Sequence, residues 1–475
     1  MTEAAMDGMS GLFCGRALLP EGWASNVALR FDARGTLTTV ERDASAQGLP
    51  QAAGPVIPGM PNLHSHAFQR AMAGLTEHAG PSEDSFWTWR EAMYGFVRRM
   101  TPEAAEAVAA LLYMEMAKQG YTAVAEFHYL HHDADGRPYA DRAEMSRRIL
   151  AAADTAGIGL THLPVLYAHS GFGGKPPSDG QKRFINDVDG LLSIVSAMQK
   201  AMGQKALGAE RAGRRVGLAL HSLRAVTPEE MRDALAGLDA LDPGAPIHIH
   251  IAEQTAEVDD CVAWSGKRPV EWLLENAPVG PRWCLVHATH LTPAEVDGLA
   301  ASGAVAGLCP TTEANLGDGL FPAIPFLAQG GRFGVGSDSH ISVSAAEELR
   351  VLEYGQRLVQ RRRNVLRIGD GPSIGGGLYR AAVAGGAQAL GQPVAGGGIQ
   401  VGQPADLVVL DADNPKLLSR TDDSLLDAYV FASDGHAVRD VVAAGRTVVR
   451  EGRHVREDAI RAAYRRAIEG LRRDT

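Results

Sequence analysis

Six residues in this 475-residue chain have types and spacings suited to metal-assisted hydrolysis: His64, His66, His250, Glu253, His287 and Asp338. His64-Ser65-His66 closes the run PGMPNLHSH. Alternate residues of an extended strand point the same way, so both imidazoles can face one ion. His248-Ile249-His250 repeats the pattern, and His250, nearer the strand end, is the expected ligand, with His248 a hydrogen-bonded core residue. Asp338 ends GVGSDSH, where small neighbours let its carboxylate approach an ion. Imidazole nitrogens with one carboxylate suit zinc and related divalent ions, and catalytic sites keep one position open for water. The expected ligands are therefore His64, His66, His250 and Asp338. Glu253, three residues beyond His250, and His287, in CLVHATH, remain for proton transfer and orientation beside the ion.

These side chains need a scaffold that brings strand ends together. Eight apolar, β-rich runs alternate with helical patterns between Pro58 and about Leu390, beginning at Pro58, Tyr121, Leu160, Arg215, Pro246, Arg282, Ala304 and Arg332. Polar residues gather toward the C-terminal ends of the runs, and no GxGxxG turn follows the first. The pattern predicts an α/β chain with a (β/α)₈ barrel over residues 58–390, its site at the C-terminal ends of the strands. Thr227-Pro228-Glu229-Glu230 and Thr292-Pro293-Ala294-Glu295 are capping boxes with Pro at N1, and Thr101-Pro102-Glu103 is a weaker version. Residues 1–57 and 391–455 alternate like strands and predict a small β-sandwich built from both termini, followed by a helix over 456–475. The glycines from Gly375 to Gly402 read as turns. The long connection from Ser170 to Arg214 reads as an active-site lid or a surface excursion. His128, His131, His132 and Asp133 read as a polar loop in preference to a second metal site.

Composition narrows the function classes. With 45% hydrophobic and 21% charged residues and no apolar run near the roughly 18 residues of a membrane span, the chain reads as soluble. The first fifteen residues lack the basic and apolar regions of a secretory signal, so the expected compartment is the cytoplasm. A net charge of −10 works against nonspecific nucleic-acid binding. The basic stretch from Arg456 to Arg473 reads as a solvated amphipathic helix. Cys14, Cys261, Cys284 and Cys309 form no CxxC pair and read as buried free thiols.

The set HxH, HxxE, His and Asp on strands one, five, six and eight resembles that of the amidohydrolase superfamily, whose barrels also carry a β-sandwich made from both termini. The resemblance spans nearly the whole sequence. Strand four, RVGLALHSLRAV, has no Lys to bridge two metals, which implies a single ion, as in the deaminase branch. NLHSHAFQRAMAGLTE, FWTWRE, EFHYLHH, HSLRAV and HIHIAEQ are similar to the N-formimino-L-glutamate iminohydrolase family. That resemblance implies substrate contacts from Gln69, Arg90, Tyr129, His221 and Arg224, and a homodimer. It also implies release of ammonia from a formimino group, as in histidine degradation. Two arginines from separate loops suit a dicarboxylate, because each guanidinium can form bidentate, charge-assisted bonds to one carboxylate. A ring deaminase acting on guanine or another purine is the alternative that Trp87 and Trp89 keep open. A noncatalytic binding barrel would have lost ligands, and none is missing here.

Overall fold

The computed structural model describes residues 9–46, 48–77, 86–204, 212–393, 396–433 and 435–473. Four strands precede the barrel: β1 (Gly11–Leu19), β2 (Gly22–Phe31), β3 (Leu37–Glu41) and β4 (Val56–Pro58). The barrel strands are β5 (Met60–Ser65), β6 (Tyr121–His128), β7 (Gly159–Leu166), the split pair β8 (Arg214–Val216) and β9 (Leu218–Ser222), β10 (Ile247–Ile251), β11 (Trp283–His287), β12 (Val305–Leu308) and β13 (Arg332–Val335). All pair in parallel, in chain order, and all eight expected runs contribute. Closure comes from a parallel bridge between Ser65 and Asp338. Across it the His66 amide donates to the Asp338 carbonyl at 3.2 Å and the Asp338 amide to the His64 carbonyl at 3.1 Å. The seam of the barrel is thus tied by residues of the expected ligand set.

Period-two alternation divides the strands between two cores. Ala123, Ala125 and Phe127, Leu163 and Val165, and Cys284 and Val286 belong to one buried cluster. Val124, Leu160, Leu166, Trp283 and Leu285 belong to another, shared with the surrounding helices. Strands buried on both faces in this way are largely apolar, with polar residues such as Glu126, His162 and His248 wholly buried among them. The helices begin where their caps place them: Thr227 and Thr292 each accept from the amide three residues on, and Glu230 and Glu295 return the bond to the cap amides at 2.8 Å.

One local expectation is corrected. Five of the glycines read as turns, at 375, 376, 377, 385 and 386, lie inside the helix Ile374–Ala389. A Cβ at Gly385 would sit 1.9 Å from the Phe333 carbonyl oxygen, so the glycines let this helix lie directly on β13. Helix propensity yields here to close packing. The connection from Ser170 to Arg214 contains the helix Val188–Gln204, the return crossing between β7 and β8; residues 205–211 lie outside the described residues.

After the barrel come β14 (Leu407–Leu410), β15 (Val438–Ala443), β16 (Arg446–Arg450) and β17 (Arg453–His454), with the helix Asp423–Ala432 inserted between β14 and β15. They join β1 to β4 in one eight-stranded sheet, ordered β17-β16-β15-β14-β4-β1-β2-β3. It curls until Thr36 bridges Pro404. Ala17, Leu19, Val56, Leu407 and Val409 face its own core, while Leu18, Ile57, Val408 and Leu410 pack toward the barrel. The chain ends in the helix Glu457–Arg473. All four cysteines are free and buried. Among the described residues no helix is long and apolar enough to cross a membrane.

Candidate active site

At the C-terminal mouth of the barrel the expected ligands converge. Nε2 of His64 lies 3.1 Å from Nε2 of His66 and 3.0 Å from Nε2 of His250. Oδ1 of Asp338 is 3.4 Å from Nε2 of both His64 and His66. Backbone carbonyls set the tautomers: Nδ1–H of His66 donates to the Phe127 carbonyl and Nδ1–H of His250 to the His221 carbonyl, both at 2.9 Å. Each Nε2 lone pair is thereby turned toward the same point. Burial drives the His64 pKa down to about 3, and burial also lowers His66 and His250, so the rings stand neutral, as metal ligation requires. Burial alone would raise Asp338, but the hydrogen bond to His64 and the neighbouring histidines hold its carboxyl below the usual range. Lone pairs 3 Å apart repel one another without a cation between them, and three neutral imidazoles with one carboxylate fit a divalent ion.

A second group flanks the ligands. His287 Nε2 is 3.7 Å from Glu253 Oε1 and 3.8 Å from Asp338 Oδ2, while its Nδ1 is 3.3 Å from Glu313 Oε1. Burial opposes a charge on His287, but Glu253, Glu313 and Asp338 outweigh it and raise its pKa well above the usual histidine value. Burial raises Glu253 to about 7, against the pull of His287. Such a carboxyl exchanges a proton near neutrality. The backbone around these side chains is left-handed, with φ of +66° at His287, +46° at Asp338 and +50° at Ala252. Non-glycine residues held there carry strain that clusters at functional sites.

The five expected substrate residues line one pocket above the ligands. Gln69 comes from the 3₁₀ turn Ala67–Met72 directly after the HxH motif, Arg90 from the helix Phe86–Val97, Tyr129 from just past β6, His221 from β9 and Arg224 two residues beyond it. Gln69 Nε2 donates to the Tyr129 hydroxyl at 2.8 Å. Oε1 of Gln69 and Nε of both Arg90 and Arg224 are buried without a partner among the described residues. The Arg90 guanidinium lies 4.5 Å from the Trp87 ring centre, and the His221 and Tyr167 rings are 4.1 Å apart. The sequence reading missed Tyr94, Tyr167, Phe184 and Leu316, which also line the pocket, and Glu313, which holds His287. Nothing in their local sequence separates them from core or surface residues; the pocket is assembled by tertiary placement.

Residues 56–448 match the amidohydrolase family. The chain belongs to that family. Residues 9–50 of this amidohydrolase match the N-terminal domain of formimidoylglutamate deiminase HutF. It is 59% identical to the formimidoylglutamate deiminase of Pseudomonas aeruginosa over 96% of this chain and 98% of that one. The crystal structure of an amidohydrolase from Brucella melitensis superposes with a TM-score of 0.90 at 49% identity, covering 97% of this chain and 99% of the other. An adenosine deaminase from Xanthomonas campestris, with bound zinc, shares the fold at a TM-score of 0.77 and 22% identity, over 98% of both chains. The protein is accordingly a metal-dependent hydrolase acting on C–N bonds.

Proposed function

We propose that this amidohydrolase converts N-formimino-L-glutamate and water to N-formyl-L-glutamate and ammonia, the step known from histidine degradation. The observation that carries the reading is the pairing of two guanidiniums, the half-buried Arg90 and the buried Arg224, with the histidine and aspartate cluster in one pocket. A dicarboxylate satisfies both cations, whereas a neutral planar base leaves them unpaired, at a cost in binding. Identity to a formimidoylglutamate deiminase over nearly the full length supports the same reading.

His64, His66, His250 and Asp338 would hold one divalent ion, zinc in this proposal, which supplies the Lewis acidity that lowers the pKa of water at the site. Asp338 accepts the proton that the attacking water loses. The water oxygen adds to the formimino carbon, and Glu253, whose pKa near 7 keeps a protonated fraction available, donates to the imine nitrogen. His287 orients the tetrahedral carbon's new oxygen. The new amino group takes the proton held by Asp338 and leaves as ammonia as its C–N bond breaks, while the hydroxyl proton returns to Glu253 and the carbonyl forms. Gln69, Tyr129 and His221 complete the hydrogen-bonding shell around the substrate. A homodimer in the cytoplasm belongs to the same proposal.

Ammonia release from N-formimino-L-glutamate, N-formimino-glycine and guanine tests the reading. Turnover of the glutamyl substrate should far exceed the other two. Equal rates with the glycine compound would contradict recognition by two arginines, and a preference for guanine would assign the pocket to ring deamination.

A further inference from the structure

Glu126 is a wholly buried carboxylate on β6 that lines no part of the substrate pocket. Its side chain accepts three hydrogen bonds: from the Ser65 hydroxyl at 2.6 Å, the Ala67 amide at 2.7 Å and the Tyr113 hydroxyl at 2.9 Å. Two of these donors flank His66. The next residue of the same strand, Phe127, offers the carbonyl that takes Nδ1–H of His66. One dipeptide therefore grips the HxH turn from both sides.

The grip continues across the barrel seam. Because the Ser65 hydroxyl donates to Glu126, its oxygen is left to accept from His340 Nε2, 3.2 Å away. Nδ1 of His340 then accepts from the Ser337 hydroxyl at 3.0 Å, and Ser337 Oγ accepts from Asn62 Nδ2 at 2.7 Å. Asn62 Oδ1 closes the circuit by accepting from the amides of Ser337, at 3.2 Å, and His64, at 3.3 Å. Every link is buried, and the three donors that converge on Glu126 make it the accepting end from which the direction of each bond along the chain follows. The circuit joins the two segments that carry His64, His66 and Asp338.

We propose that Glu126 is the positioning residue of the His64–His66 turn, setting the ligand geometry through the Ser65 hydroxyl and the Ala67 amide. The inference rests on the reading of His64, His66, His250 and Asp338 as the metal ligands. Outer groups that orient ligands in this way change metal affinity by about 10- to 100-fold when removed.

Zinc affinity measured by competition with a chromophoric chelator, together with the unfolding midpoint of the metal-stripped protein, tests it. Glu126→Gln places an amide N–H₂ against donors and should weaken zinc binding about 10- to 100-fold. Ser65→Ala, which removes only the bridging hydroxyl, should weaken it in the same direction and carries the test if Glu126→Gln does not fold. Tyr113→Phe deletes the one donor to Glu126 that does not belong to the turn, and should lower the unfolding midpoint while keeping zinc affinity within about twofold. Wild-type affinity in folded Glu126→Gln or Ser65→Ala, or an equal loss in Tyr113→Phe, overturns the positioning role alone. Zinc affinity left at the wild-type value by His66→Ala overturns the ligand assignment as well.

Discussion

Histidines 64, 66 and 250 and histidines 128, 131 and 162 are all buried on or just beyond barrel strands, and where the backbone binds a ring the two clusters differ in the nitrogen it takes. At the mouth, carbonyls bind Nδ1 of His66 and His250 and leave the Nε2 atoms facing one another beside Asp338. In the other cluster a carbonyl takes Nε2 of His131, from Val165 at 3.1 Å, and the adjoining His132 Nε2 is held by Ile185 at 2.6 Å. Asp133, the nearest carboxylate in sequence, accepts from the amides of Asp135 and Arg137 in a local turn. Ring centres lie 4.6 and 4.8 Å apart around His64, against 5.5 and 5.8 Å around His128. Histidine count is therefore a poor guide to a metal site. What sets the cluster at the mouth apart is a backbone that binds the far nitrogen of His66 and His250 and a carboxylate left free to join.

The comparison is broken most severely by removing that carboxylate's charge. Asp338→Asn keeps the shape but supplies a weaker ligand and no base, so kcat for ammonia release should fall at least about 10³-fold. Retention of turnover within tenfold would remove Asp338 from the mechanism. Next in size is a matched pair of ligand tests. His250→Ala should lower zinc affinity more than about 100-fold, beyond the effect of losing an outer group, while His131→Ala should leave it unchanged. Metal analysis after dialysis against a chelator reads both, and equal losses would erase the distinction between the clusters. Arg90→Ala comes third: losing charge-assisted hydrogen bonds worth about 1.5–3 kcal/mol should raise KM about 10- to 100-fold with kcat largely kept. A fall in kcat at constant KM would instead move Arg90 to the reacting atoms.

How far the site is readable from sequence follows from the same contrast. His64, His66, His287 and Asp338 are legible because strand ends recur in a parallel barrel and a two-residue period decides which side chains share a face. The eight strands are legible for the same reason, as are the helix starts at Thr227 and Thr292, where the capping groups lie three residues apart. Glu313 is not legible, since it reaches His287 from the helix Pro310–Leu316, beyond the next strand. Glu126 sits in plain view in EFHY, yet its partners Ser65, Ala67 and Tyr113 belong to other elements. The glycines of Ile374–Ala389 mislead because a local rule for turns cannot register that Phe333 and Pro61 press against the helix. Local chemistry survives translation into three dimensions where period and fold agree, and fails where a neighbour distant in sequence sets the requirement.

The smallest expected effect tests whether the second cluster has any role beyond filling space. Both ring nitrogens of His162 are buried without a partner among the described residues, and burial pushes its pKa down to about 3. In the unfolded chain the same ring titrates near 6.5, so below that pH the unfolded state takes up a proton that the folded state refuses. The stability contributed by the neutral ring is complete above about pH 6.5 and drains as pH falls toward the folded value. Below pH 6.5 each such histidine steepens the loss by up to about 1.4 kcal/mol per pH unit. Urea unfolding of the wild type and His162→Leu at pH 6 and pH 5 should therefore show the variant losing about 1 kcal/mol less over that unit, whatever its stability at neutral pH. Parallel losses would mean that His162 accepts its proton without unfolding, through a water or a rearranged ring. The cluster would then be a polar cavity, not the dry counterpart of the site at the mouth.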